Sequence, residues 1–198
     1  MANTESEKNT NHLEHHDLVG LVEDLWSTKE FDLRMAAAIL LQIRFTQLDT
    51  RDVEMIERLI RDSRTWALVD VLAVHVLGAM SLRRPFRQIL DKWAKDDDFW
   101  IRRSSLLAEL KPLQSGQDFE PFARRADAML GEREFFIRKA IGWVLREMSK
   151  KRPDEVFEWM APRTDRASGV TMREVVKYLE PEHAARLMRA HKDGQPAA

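Results

Sequence analysis

Residues 135–147 read Phe135-Phe136-Ile137-Arg138-Lys139-Ala140-Ile141-Gly142-Trp143-Val144-Leu145-Arg146-Glu147. The apolar residues recur at the three- and four-residue spacing of an amphipathic helix. A bulky residue, Phe136, is followed by a base, Lys139, and then by an apolar run. The pattern recurs as Phe31-x-x-Arg34, Trp66-x-x-x-Asp70, Trp100-x-x-Arg103 and Val170-x-x-Arg173. The charged positions 34, 70, 103, 139 and 173 are separated by 36, 33, 36 and 34 residues. A period of this length is that of helical-hairpin arrays, in which one hairpin cannot bury its apolar face alone and stacked neighbours share a core. The expected fold is all-α, an α-solenoid of stacked helical hairpins with a concave groove.

Working outward, helical periodicity predicts helices near 18–26, 30–46, 52–62, 65–80, 86–94, 97–111, 118–130, 133–150, 154–161, 169–179 and 182–190. Pro85, Pro121, Pro153 and Pro181 stand where a helix would begin, the position that tolerates a missing N–H. Ser63 is the candidate N-cap of the 65–80 helix. Gly142, inside a strong helix, costs about 1 kcal/mol against Ala, which points to close helix packing at that position. The expected organisation is a disordered polar tail over 1–17, one repeat domain over 18–191 of about five helical pairs plus a C-terminal helix, and a flexible end over 192–198.

Composition excludes several chemistries. The 198 residues contain no Cys, so disulfides, thiolate catalysis and Cys-ligated metal sites are out. Seven Gly and seven Pro are too few for a strand-and-turn architecture. No apolar run approaches the roughly 18 residues of a membrane span, and the N-terminus lacks the apolar core of a signal peptide. A cytoplasmic, membrane-free monomer is the default expectation. The formal net charge of −1 argues against a polyanion partner, but its distribution does not. Residues 1–98 carry 13 Lys+Arg against 18 Asp+Glu, whereas residues 99–177 carry 16 against 12. Phosphate responds to local field rather than to total charge.

In the repeat register, four positions are basic and one, Asp70, is acidic. The five motif helices are expected to line one face, so the register suggests a phosphate track, Arg34, Arg103, Lys139 and Arg173, with a carboxylate set inside it. Trp66 and Asp70, at i and i+4, are surface neighbours on one helix; a core Trp beside an exposed or capping Asp is the plainer alternative. Basic neighbours from adjacent repeats, Arg34 and Arg103, would keep Asp70 ionised. For Arg103 the alternative is a structural ion pair with Asp96, Asp97 or Asp98. Lys139, Trp143 and Arg146 form a stripe with a ring between two cations, suited to phosphates flanking a sugar or base; a core Trp143 is the alternative. Trp26, Trp93 and Trp159 read as packing residues, and His75 as a packed polar residue. His12, His15 and His16 read as part of a solvated tail. No metal-ligand spacing and no phosphate loop occurs.

Together Trp66-Ala-Leu-Val-Asp70, Trp93-Ala with Trp100-Ile-Arg-Arg103, and Lys139-Ala-Ile-Gly-Trp143-Val-Leu-Arg-Glu147 resemble the DNA alkylation repair glycosylases, the AlkD-like HEAT-repeat proteins. The resemblance covers roughly residues 18–180. It implies a solenoid holding duplex DNA in its groove and excising positively charged N3- and N7-alkylated purines, with no metal and no cofactor. It further implies that Asp70 is the catalytic carboxylate, that Trp66 and Trp143 contact the lesion nucleotide, and that Arg103 binds the DNA backbone. Lys139, Arg146, Arg34 and Arg173 would be further DNA contacts. Family members usually carry a helical pair before the position of Leu18 that supplies a Tyr to the site. Here a short polar stretch precedes Leu18 and the sole tyrosine is Tyr178, so a shortened groove is expected. A non-catalytic DNA-binding protein of the same fold and a protein-binding scaffold are the alternatives.

Overall fold

The computed structural model describes residues 13–83 and 86–197; Pro85 and His12 lie outside the described residues. Among these the chain is all-helical, with no strand. The principal helices are His15–Ser27, Phe31–Ile43, Val53–Ser63, Trp66–Arg83, Arg87–Trp93, Phe99–Leu107, Leu110–Gln114, Glu120–Met129, Phe135–Ser149, Pro153–Met160, Gly169–Val175 and Pro181–Asp193. Pro153 and Pro181 open their helices and Pro121 is the second residue of its own, where no backbone donor is missed.

The sequence reading and the structure part at four places, each for a local reason. The helix expected over 97–111 breaks after Leu107, and a second short helix starts at Leu110. A continuous helix would set the Pro112 ring against the carbonyl four residues back, at Ala108. Ser63 is not an N-cap: its hydroxyl donates to the Leu59 carbonyl inside the preceding helix, and Arg64 then turns the chain through left-handed backbone at φ 49°. The first helix starts at His15, inside the expected tail, and His15 Nε2 lies 2.8 Å from the buried Asp52 carboxylate. The expected flexible C-terminus is pinned instead. The Ala197 N–H donates to the Ala161 carbonyl, Thr164 Oγ1 donates to the Gln195 carbonyl, and Ala197 is buried.

Trp66–Arg83 also departs from the hydropathy expectation. Over its 18 residues the mean hydropathy is 1.4, enough by length and composition to cross a membrane, but 61% of it is buried within the fold. It is the core helix. Its residues Leu72, Val76 and Leu77 belong to the N-terminal apolar cluster, and Ala73 and Val74 to the C-terminal one, so it joins the two halves of the core. The segment Val71–Leu77, directly after Asp70, is a π-helix.

The five motif helices pack side by side in chain order. Phe31–Ile43 lies against Trp66–Arg83, which lies against Phe99–Leu107, then Phe135–Ser149, then Gly169–Val175. Ion pairs one period long tie neighbours together: Arg58 to Glu23, Arg61 to Asp96, Arg124 to Asp91 and Arg163 to Asp127. Trp26, Trp93 and Trp159 are buried, as their packing role requires. The indole N–H groups of Trp26 and Trp93 donate to Asp62 and Glu57 of a neighbouring repeat.

The closest of these packings is at Gly142. A Cβ there would stand 2.8 Å from Glu174 Cβ and 3.1 Å from the Thr171 carbonyl oxygen, and neither is a flexible side-chain end. Gly142→Ala gains about 1 kcal/mol of helix propensity but overpacks the interface, which costs about 1–3 kcal/mol. Urea unfolding should therefore show net destabilisation; a stabilised variant would refute the close approach.

Candidate functional site

Asp70 closes the first turns of Trp66–Arg83, and Arg103 occupies the matching position on the next motif helix. The Arg103 guanidinium forks onto the carboxylate: Nε donates to Oδ1 at 2.8 Å and Nη2 to Oδ2 at 2.9 Å. Its remaining arm, Nη1, donates to the Phe136 carbonyl at 2.6 Å, one repeat further on. Arg103 thus joins its own motif helix to the ones before and after it. Its side chain is 3% exposed, and that of Asp70 is 16% exposed. A bidentate pair of this kind fixes the position and orientation of the carboxylate.

Aromatic rings surround the pair. Arg103 lies over the Phe136 ring at 5.7 Å, and Phe136 meets Trp100 at 4.8 Å and Phe99 at 6.2 Å. Trp66, one turn before Asp70, is 56% exposed. The i, i+4 spacing therefore sets an open aromatic face beside an oriented, partly accessible carboxylate. Trp143 is half-buried and packs against the C-terminal apolar cluster.

The expected phosphate track is corrected in several places. Arg103 is buried, with all three arms of its fork occupied, so it presents no surface cation. Arg34 does not flank Asp70; it donates to the Asp62 carboxylate at 2.6 Å and to the Trp26 carbonyl. Arg102 leaves the site altogether, pairing with Glu132 at 2.9 Å and donating to the Asp96 and Asp97 carbonyls. Lys139 and Arg146 converge on one buried carboxylate, Glu174; the Lys139 contact is 2.5 Å. Arg173 is exposed and makes no ion pair with a described residue.

Glu174 was not singled out by sequence, although it stands 35 residues after Lys139, one period on. Burial works to raise its pKa, but hydrogen bonds from Lys139 and Lys177 and the charge of Arg146 outweigh it and hold the carboxyl at about 2. The folded pKa lies below the ordinary 4.5, so the stabilisation is fully present above pH 4.5 and is lost as pH falls toward 2. The shift corresponds to about 3 kcal/mol. In thermal melts between pH 5 and 2, Glu174→Gln should lose less stability than the parent. Parallel curves would exclude this linkage.

Helix caps form a second signal that the charge pattern masked. Asp98 accepts from the Trp100 N–H, Glu134 from the Phe136 N–H and Ser168 from the Thr171 N–H, so a capping side chain recurs just ahead of each of these motif helices. The recurrence of Asp98, Glu134 and Ser168 at the repeat period is legible in the sequence. His75 lies beyond Asp70 on the π-helical segment, where burial and the nearby Lys111 lower its pKa against the opposing pull of Asp70.

The comparisons with known proteins agree with this architecture. The solved structure of a predicted DNA alkylation repair enzyme from Enterococcus faecalis superposes with a TM-score of 0.75 at 23% identity, covering 85% of this chain and 78% of that one; the likeness is one of fold. No match is found among curated proteins. A family model described as DNA alkylation repair enzyme matches residues 3–179. The chain belongs to the DNA alkylation repair enzyme family.

Proposed function

We propose that the protein is a monomeric DNA glycosylase that removes cationic N3- and N7-alkylated purines from duplex DNA, which lies in the concave groove of a right-handed HEAT-like solenoid. The observation that carries this reading is the Asp70 carboxylate, gripped by a buried Arg103 and bordered by the exposed Trp66. An N-alkylated purine already bears positive charge. When its bond to C1′ of the deoxyribose breaks, the electron pair goes to the purine, which leaves as a neutral base and needs no general acid. The sugar becomes oxocarbenium-like, and the acid carboxyl that most glycosidases use to release the leaving group is not required here. Asp70 then stabilises the sugar cation and orients the water that adds its oxygen to C1′, the released proton passing to the carboxylate or solvent. Trp66 offers its π-face to the cationic nucleotide, with Trp143 as a second face.

Arg103 has a positioning role in this scheme, because its donors are taken up by Asp70 and Phe136. Arg173 is the track residue open to a phosphate directly. Lys139 and Arg146 would exchange Glu174 for phosphate, and Arg34 would exchange Asp62. The neutralisation of these cations favours a second reading, a non-catalytic DNA-binding member of the family in which Asp70 and Arg103 form a structural pair. Release of 7-methylguanine from methylated duplex DNA, followed chromatographically, separates the two. Base release that requires Asp70 supports the glycosylase, and binding without release supports the alternative.

A further inference from the structure

Phe31, Trp66 and Phe135 are each the first residue of a motif helix, and each is about half exposed, at 49%, 56% and 53%. Two positions before each ring stands an exposed base: Lys29, Arg64 and Arg133. None of these three bases makes a side-chain hydrogen bond or ion pair with a described residue, whereas almost every cation of the expected track does. Lys29 and Arg64 also share left-handed backbone, with φ of 63° and 49°, so the approach to both helices is built alike. The middle helix breaks the series: Asp97 replaces the base, and Phe99 is half-buried against Trp100 and Phe136. That aromatic row continues to Phe135, whose ring meets Phe136 edge-on at 5.4 Å.

These residues occupy one rim. The motif helices pack in sequence, and the Asp70–Arg103 and Arg103–Phe136 contacts join their first turns, so their N-terminal ends lie together. Packed helices are about 8–10 Å apart. Trp66 and Phe135, two helices apart, are therefore about 16–20 Å from one another, a span of roughly five stacked nucleotides at about 3.4 Å each.

We propose that this rim binds an unpaired DNA strand, with bases stacked on Phe31, Trp66 and Phe135 and phosphates held by Arg64 and Arg133. Exposed rings beside free cations are the recognition chemistry of single strands. Duplex DNA hides the faces of its bases, so these rings reach only nucleotide edges and sugars in a duplex, whereas stacking on base faces needs bases released from pairing. Glu30 and Asp32 flank Phe31 beside Lys29, whereas the acids beside Arg133 are engaged, Glu132 by Arg102 and Glu134 by the Phe136 N–H; the Phe31 end is therefore a stacking position rather than a phosphate contact. Asp97 marks a span where the strand keeps its phosphates away from the protein. The proposal rests on the reading of the chain as DNA-directed, but it does not require base excision.

Fluorescence anisotropy with a labelled fifteen-residue oligothymidylate at low salt tests it. The parent should bind, with Trp66 emission quenched on stacking. Phe31→Ala/Phe135→Ala should weaken single-strand binding by about tenfold per ring, and Arg64→Asn/Arg133→Gln should weaken it and flatten its salt dependence. Asn suits the left-handed position of residue 64. Asp97→Asn should tighten binding. Duplex affinity and 7-methylguanine release should persist in Phe31→Ala/Phe135→Ala. Absence of oligothymidylate binding by the parent, unchanged affinity in both double variants, or equal losses for duplex and single strand would each overturn the proposal. If the parent releases no base while the double variants still lose the single strand, excision fails and the rim stands.

Discussion

Asp70→Asn is expected to abolish detectable release of 7-methylguanine while leaving duplex DNA binding within a few-fold of the parent. The substitution keeps the shape of the side chain and removes its charge. Charge stabilisation of a developing cation by one oriented group is worth about a hundred- to a thousandfold in rate, and more in a sheltered site. The change also turns an amide NH2 toward one arm of the Arg103 fork, where two donors now face each other. A loss of about 1–3 kcal/mol of stability should accompany it. Base release is therefore to be measured well below the melting temperature, with circular dichroism confirming the fold. Release at the parental rate would remove Asp70 from the mechanism.

Arg103→Ala should be among the most damaging single substitutions for stability. Arg103 is 3% exposed and joins three motif helices through the Asp70 carboxylate and the Phe136 carbonyl. Its removal strands a carboxylate and a backbone acceptor in a largely buried site. Breaking one side of a buried pair costs about 3–5 kcal/mol, which denaturant unfolding resolves easily. The same variant discriminates between the two roles for this residue. A phosphate contact contributes about one unit to the slope of log affinity against log salt. A positioning residue leaves that slope unchanged while base release falls, because the carboxylate loses its orientation. A reduced slope in a fully stable variant would return Arg103 to the DNA backbone.

The helices and the spacing of their motifs were legible in the sequence because a helix and its apolar stripe are set by local contacts. An apolar stripe recurring at a fixed period has few ways to bury itself, and proline marks helix starts at 121, 153 and 181. Gly142 announced a close approach that the structure places at Glu174 and Thr171. The break at Pro112 was also readable, since a proline inside a long helical run opposes the carbonyl four residues back.

The charged residues were legible only as positions. Four cations of the expected track take a partner 28–35 residues away, Arg34 choosing Asp62, Arg103 choosing Asp70, and Lys139 and Arg146 choosing Glu174. Sequence order does not say which acid a long side chain will reach. By itself the sequence determined the helical period, the apolar faces and the list of residues able to carry chemistry. Tertiary packing decided which charges cancel, which stay free of the described residues at Arg64, Arg133 and Arg173, and that the one acid in the register is held by a buried arginine. The physical reason is one of range: a helical stripe is set by its own neighbours, whereas an ion pair is set by the distance between side chains that only stacking brings together.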